Sequence, residues 1–125
     1  MSKILIVEDN MIIALVTQRS LESAGYEVLE VACSAEEAIN ICKEHKPDLI
    51  LMDIQLDNGG DGVDTMIEIR QFSEVPVIFL TGNSEIKSKE KAMSAGFSGF
   101  LIKPVQNKTL LQLIKSVLSS NDPLY

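Results

Sequence analysis

Residues 49–56 read Leu-Ile-Leu-Met-Asp-Ile-Gln-Leu, four apolar residues in a row closed by a carboxylate. So short and continuous an apolar run suits a strand covered on both faces, the kind found in parallel sheets flanked by helices. The aspartate that closes it, Asp53, falls where the chain leaves the sheet. Open α/β sheets carry their sites beyond the carboxyl ends of their strands, so the same eight residues point to a fold and to a place for chemistry.

Working outward, four similar runs appear: Ile4–Val7, Val28–Ala32, Val77–Leu80 and Phe100–Ile102. Between and after them lie amphipathic stretches near Met11–Ala24, Ala35–His45, Val63–Phe72, Glu85–Ala95 and Lys108–Leu118. Short apolar runs alternating with helical ones imply repeated βα units. The expected fold is therefore α/β, a five-stranded parallel sheet flanked by five helices, doubly wound and flavodoxin-like. The punctuation agrees. Gly25 and Gly96 stand where helices end, Ser34 with Glu37 forms a capping box, Ser84 suits an N-cap, and Pro47 and Pro76 precede strands. The first helix has more apolar residues than one buried stripe uses. With Ile13, Val16, Ser20, Leu21 and Ala24 toward the sheet, Met11 and Leu15 point away, as incidental surface residues or as a docking patch.

The chain has 125 residues, 11 Lys and Arg against 18 Asp and Glu, and a net charge of −7. That length fits one domain able to bury a core without a metal or disulfide staple. The expected division is a domain over residues 1–118 and a flexible tail or linker stub over 119–125. No apolar run is long enough to cross a bilayer, and Met1-Ser2-Lys3 leads into a strand instead of a signal peptide, so a cytoplasmic protein without membrane contact is expected. Cys33 and Cys42 have no CxxC spacing and read as thiols. The negative charge disfavours direct nucleic-acid binding, which depends on neutralising phosphates. Charge is uneven: residues 1–79 hold 5 basic and 15 acidic side chains, residues 80–125 hold 6 and 3.

The polar residues following the runs are few and of matched type. Glu8 and Asp9 follow the first, Asp53 closes the third, Thr81 the fourth, and Lys103-Pro104 follows the fifth. Singly, each has a duller reading: a strand-end Asp as a helix cap, a solvated lysine, a threonine as a strand former. Together they converge on one sheet edge. Three neighbouring carboxylates repel one another, and an all-oxygen set with room for water suits Mg2+ or Mn2+ better than zinc. With a metal and Lys103 to neutralise an incoming phosphoryl group, Asp53 is the candidate nucleophile for an aspartyl-phosphate. Thr81 could hydrogen-bond the attached phosphoryl group, with Gly82 leaving space beside it.

The ordered set ILIVEDN (4–10), LILMDIQL (49–56), VIFLTG (77–82) and GFLIKPV (99–105) resembles the receiver domain of two-component response regulators, from about Lys3 to Leu118. The resemblance implies that Asp53 is the phospho-acceptor, and that Glu8, Asp9, Asp53 and the backbone carbonyl of Gln55 form the Mg2+ site. It implies that Thr81 and Phe100 form a switch pair, that Lys103 pairs with the phosphoryl oxygens, and that the Lys103–Pro104 bond is cis. Gln55 and Asn83 occupy positions that tune loss of the phosphoryl group to water. The implied partners are a histidine kinase or histidine phosphotransfer protein as donor, and a downstream protein on the face of the fourth helix, fifth strand and fifth helix; a homodimer is a further expected assembly. Phe100 stands where tyrosine is commoner, and the loop Ile54–Gly62 is one residue longer than in many relatives.

Two rivals share part of this set. A haloacid dehalogenase-type phosphatase also uses a strand-end Asp, Thr or Ser, Lys and Mg2+, but wants a second Asp two residues after the nucleophile, where this chain has Gln55. A constitutive receiver-like binding module would not need every reactive position filled. A flavodoxin-like electron carrier lacks support with no Trp and two Tyr, and neither GxxxxGK[ST] nor GxGxxG follows the first run. The expected function is a phospho-accepting switch that catalyses its own phosphotransfer and autodephosphorylation and is not a metabolic enzyme.

Overall fold

The apolar runs pair as a sheet because each strand carries branched or bulky side chains on both faces. The computed structural model describes residues 2–56, 60–82 and 86–120. Its elements are β1 (Lys3–Val7), α1 (Met11–Ser23), β2 (Glu27–Ala32), α2 (Ala35–His45), β3 (Leu49–Asp53), β4 (Gln55–Leu56), β5 (Gly60–Asp61), α3 (Gly62–Ile69), β6 (Val77–Thr81), α4 (Ile86–Ser94), β7 (Gly99–Ile102) and α5 (Asn107–Ser120). Five strands form one parallel sheet in the order β2-β1-β3-β6-β7. The remaining two, β4 and β5, form a small antiparallel ladder in which Gln55 faces Asp61.

Alternation along the strands divides the core in two. Leu5, Val7, Ile50, Met52, Val77 and Phe79 pack with α2, α3 and α4 through Ile41, Met66, Ile69 and Ala92. Ile4, Ile6, Leu49, Leu51 and Ile78 pack on the other face with Leu21 of α1 and Leu110, Ile114 and Val117 of α5. Helices on both faces make the sheet doubly wound, as expected. The strand order reverses between β1 and β3, and that reversal opens a crevice at their carboxyl ends.

Several local expectations shift. The inward stripe of α1 is Ala14 and Leu21, both buried, with Thr17 and Ser20 half-buried beside them; Ile13 and Val16 are 43% and 62% exposed and do not face the sheet. The smaller Ala14 sets the close approach to the sheet, which turns the bulkier residues outward. The exposed apolar face is thus wider than Met11 and Leu15 alone. The capping box is offset by one residue: Ser34 Oγ accepts from the Glu37 amide at 3.2 Å, but the Glu37 carboxylate accepts from the Cys33 amide. Helix α3 stops at Ile69, three residues short of Phe72, where Arg70 turns away to other partners, and α5 runs to Ser120, two residues into the expected tail. Residues 121–125 and the Ser84 cap lie outside the described residues.

Candidate functional site at the carboxyl edge of the sheet

Asp53 is the last residue of β3 and 5% exposed, its neighbours in the sheet being the ends of β1 and β6. Its Oδ1 accepts from the amide of Gln55 at 3.1 Å, the first hydrogen bond of the chain's turn into β4. Glu8 continues from β1, its amide bonded to the Ala32 carbonyl at 2.9 Å, and is 4% exposed. Asn10 then caps α1, its Oδ1 accepting from the amides of Ile12 and Ile13 at 3.1 Å each while its own amide donates to Glu8 Oε2 at 3.2 Å. Carboxylate oxygens of Glu8, Asp9 and Asp53 lie within 4.8 Å of one another.

Lys103 reaches this cluster from the end of β7. Its amide donates to the Thr81 carbonyl at 2.7 Å, so the main chain is fixed to β6, and its Nζ lies 3.1 Å from Asp53 Oδ2 and 3.2 Å from Glu8 Oε1. The Lys103–Pro104 peptide bond is cis. One ammonium thus bridges two buried carboxylates, with Asp9 beside them at half exposure.

The electrostatics follow from burial. Glu8 is pushed up to about 7, chiefly because burial penalises its charged form and then because the Asp53 carboxylate stands beside it; the Asn10 amide and Lys103 oppose this. Burial pulls Lys103 down, but the Asp53 and Glu8 carboxylates outweigh it and hold its ammonium above the ordinary range. Three carboxylates against one ammonium leave the cleft short of positive charge. A small hard dication matches that deficit and the all-oxygen donor set, and Glu8, Asp9 and Asp53 are the residues that could hold it.

The remaining expected residues surround this centre. Thr81 ends β6 next to Asp53 and is fully buried. Phe100 lies in β7, half-buried against the α2–α3–α4 core, its ring 5.7 Å from that of Phe97, which in turn meets Phe79 edge-on at 6.2 Å. Gln55 is exposed in β4, paired with Asp61. Asn83 lies outside the described residues.

Gly62 was not among the expected site residues. Its amide donates to the Ile54 carbonyl at 2.7 Å. A Cβ there would collide with the carbonyl oxygen of Asp53 and stand 2.9 Å from both Ile54 Cα and Met52 Cγ. The start of α3 is therefore pressed against the backbone of Asp53, an approach open only to glycine. The Asp-Gly pair at 61–62 carried the signal, since Asp is a strong N-cap and here accepts from the amides of Val63 and Asp64 at 2.7 and 3.4 Å.

Comparison with known proteins agrees with this geometry. The family model described as response regulator receiver domain matches residues 4–115. The transcriptional regulatory protein PdtaR of Mycobacterium tuberculosis is 32% identical over 117 residues, covering 94% of this chain and 57% of its own length. The chain spans about half the length of the curated relatives it matches. A two-component response regulator from Clostridium difficile superposes with a TM-score of 0.92 at 30% identity, covering 98% of this chain and 99% of its own. A response regulator from Burkholderia pseudomallei, described with a phosphorylated aspartic acid, calcium ion and citrate, superposes at 0.84 with 25% identity over 96% of this chain and 70% of its own. The sheet order, the acidic crevice and these matches together place the chain in the response regulator receiver domain family of two-component signal transduction.

Proposed function

We propose that Asp53 accepts a phosphoryl group from a phosphohistidine of a histidine kinase or phosphotransfer protein. The observation that carries this reading is the placement of Asp53: it ends β3 with Glu8 and Asp9 oxygens within 4.8 Å and the Lys103 ammonium at 3.1 Å. A carboxylate oxygen of Asp53 attacks phosphorus, the P–N bond breaks, and its electron pair returns to the imidazole, which takes up a proton. Lys103 neutralises phosphoryl oxygens as they approach. Glu8, Asp9, Asp53 and the Gln55 carbonyl would hold Mg2+ or Mn2+, which supplies the further positive charge that two anions need in order to meet. The reverse loss is hydrolysis: water attacks phosphorus, phosphate leaves, and the Asp53 carboxylate is regenerated. Gln55 and Asn83 tune the rate of that loss. The domain acts on its own acceptor, so it turns over no external substrate except its donor.

The buried Thr81 hydroxyl would move to a phosphoryl oxygen, and the half-buried Phe100 ring would follow into the space released. That rearrangement reaches the face of α4, β7 and α5, where a downstream protein or a second copy of the chain binds. The exposed apolar residues of α1, among them Met11, Ile12 and Leu15, follow directly on Asp9 and Asn10 and suit a docking patch for the donor. That the Burkholderia relative is described with a phosphorylated aspartic acid and a calcium ion supports an aspartate acceptor and a divalent cation here. The receiver domain takes in residues 1–118 and works in the cytoplasm; no described helix is long and apolar enough to cross a membrane.

Intact mass after incubation with acetyl phosphate, with and without Mg2+, tests the proposal. Wild type gains one phosphoryl group only with Mg2+, and Asp53→Asn gains none. A wild type that gains nothing, or a mutant that gains as much, refutes it.

A further inference from the structure

Among the described residues, helix α4 is tied to α3 at two points, and one of them leads back to Asp53. Near the acceptor, Lys91 Nζ lies 3.0 Å from Asp61 Oδ2 and 3.0 Å from Asp64 Oδ1. Asp61 is at once the N-cap of α3, the strand partner of Gln55, and, through its carbonyl, the acceptor of the Thr65 hydroxyl at 2.9 Å. Gln55 in turn donates to Asp53. Gln55 and Asp61 face each other as a non-hydrogen-bonded pair beside the 2.7 Å bond from the Gly62 amide to the Ile54 carbonyl, so the two-stranded ladder carries the connection from Asp53 to Asp61 and the Lys91 ion pair carries it on to the fourth helix. At the far end, Arg70 Nε and Nη2 donate to the carbonyls of Ala95 and Gly96 at 2.9 Å each, and its Nη1 donates to Val75. The half-buried Arg70 end is held by several charge-assisted bonds, whereas the Lys91 end is held by exposed ion pairs that exchange with solvent.

We infer that Lys91 is a positioning residue for the acceptor loop: by holding Asp61 and Asp64, it couples the placement of Gln55 beside Asp53 to the position of α4, with Arg70 as the pivot. The arrangement is two-ended. A change at the acceptor that moves β4 loads the Lys91 link, and a partner that shifts α4 pulls on the segment lining the phosphorylation site. Coupling of two sites through an element that both bias is reciprocal. Such a connection reaches the output face without passing through Thr81 and Phe100. Exposed pairs suit this role, because so weak a link yields to a partner where a buried one would not.

The inference rests on phosphorylation at Asp53, so its test carries a readout that does not. Lys91→Gln, Lys91→Arg and Asp64→Asn are compared with wild type by amide hydrogen exchange at Gln55 and Leu56 and by the half-life of the phosphorylated form. Expected is faster exchange at Gln55–Leu56 in Lys91→Gln and a half-life shorter by about two- to fivefold, the range of an exposed ion pair, with Asp64→Asn intermediate and Lys91→Arg restoring both. Unfolding midpoints stay close to wild type. Faster exchange confined to α4, or a half-life unchanged in Lys91→Gln, overturns the coupling. If wild type takes no phosphoryl group, the functional proposal fails, and exchange at Gln55–Leu56 alone decides the link.

Discussion

The Glu8 carboxyl makes the stability of the metal-free domain fall as pH rises, opposite to the behaviour of a carboxylate held by a salt bridge. It titrates near 7 against an ordinary 4.5, with burial and the neighbouring Asp53 carboxylate as causes. Between those values the native state carries a proton that the unfolded chain has lost, so the free energy of unfolding declines with pH. The contribution is fully present below 4.5 and is gone once pH has passed 7. At about 1.4 kcal/mol per pH unit, the total is about 3 kcal/mol. Urea unfolding without divalent metal, run at several pH values from 4.5 to 8, measures it, and Glu8→Gln supplies the control because its side chain does not titrate. Wild type should lose about 3 kcal/mol relative to that variant across the interval. A Mg2+ ion needs the ionised carboxylate, so its affinity should weaken about tenfold from pH 8 to pH 6 as it comes to displace a proton. Parallel stability curves for wild type and Glu8→Gln would refute the reasoning, since burial beside Asp53 would then cost Glu8 nothing.

Two further substitutions probe the frame of the site. Gly62→Ala drives a methyl group into the Asp53 carbonyl and strains the Gly62–Ile54 hydrogen bond; overpacking together with a weakened buried bond should cost about 3 kcal/mol in urea unfolding, and a loss under about 1 kcal/mol would mean that α3 can retreat from the acceptor strand. Arg70→Ala leaves the Val75, Ala95 and Gly96 carbonyls without their guanidinium donor, with an expected loss of about 2 kcal/mol and faster amide exchange at the C-terminal end of α4; exchange equal to wild type there would remove Arg70 as the anchor.

The sheet was legible because its signal is local. Each strand of the large sheet is a run of four to six residues whose apolar pattern survives without knowledge of the neighbours, and strand ends locate a site in an α/β fold before any contact is known. Glu8, Asp9, Asp53 and Lys103 could be gathered from chain order alone, and the structure brings them together. The face of α1 was misread because an amphipathic stripe is weighed by residue size. Ala14 carries little hydrophobic signal, yet its smallness lets the helix sit close, and Ile13 and Val16 are displaced outward. The roles of Arg70 and Lys91 were beyond reach for another reason. The partners that join α3 to the α4 segment lie 25 to 30 residues apart in sequence, and a lone basic side chain has the same pattern in sequence whether solvated or bridging.

Lys103 sets the terms on which the cleft can change state. One ammonium is shared between Glu8 and Asp53 at nearly equal distances, 3.2 and 3.1 Å, while its backbone is fastened to Thr81. Under the proposed function, an aspartyl-phosphate at Asp53 would carry about two negative charges where the free carboxylate carries one. The added charge falls on one side of the shared ammonium, so the balance tips toward the phosphoryl group and the hold on Glu8 weakens. Glu8 and Asp9 would then be left with less cationic compensation, and a dication would become more favourable once Asp53 is phosphorylated. By reciprocity the dication favours the phosphorylated state to the same degree. The fixed backbone of Lys103 confines this exchange to its side chain. The Thr81 end of β6 and the Gln55–Asp61 ladder are both anchored next to it, and each offers a route by which a change at the site can reach the rest of the domain.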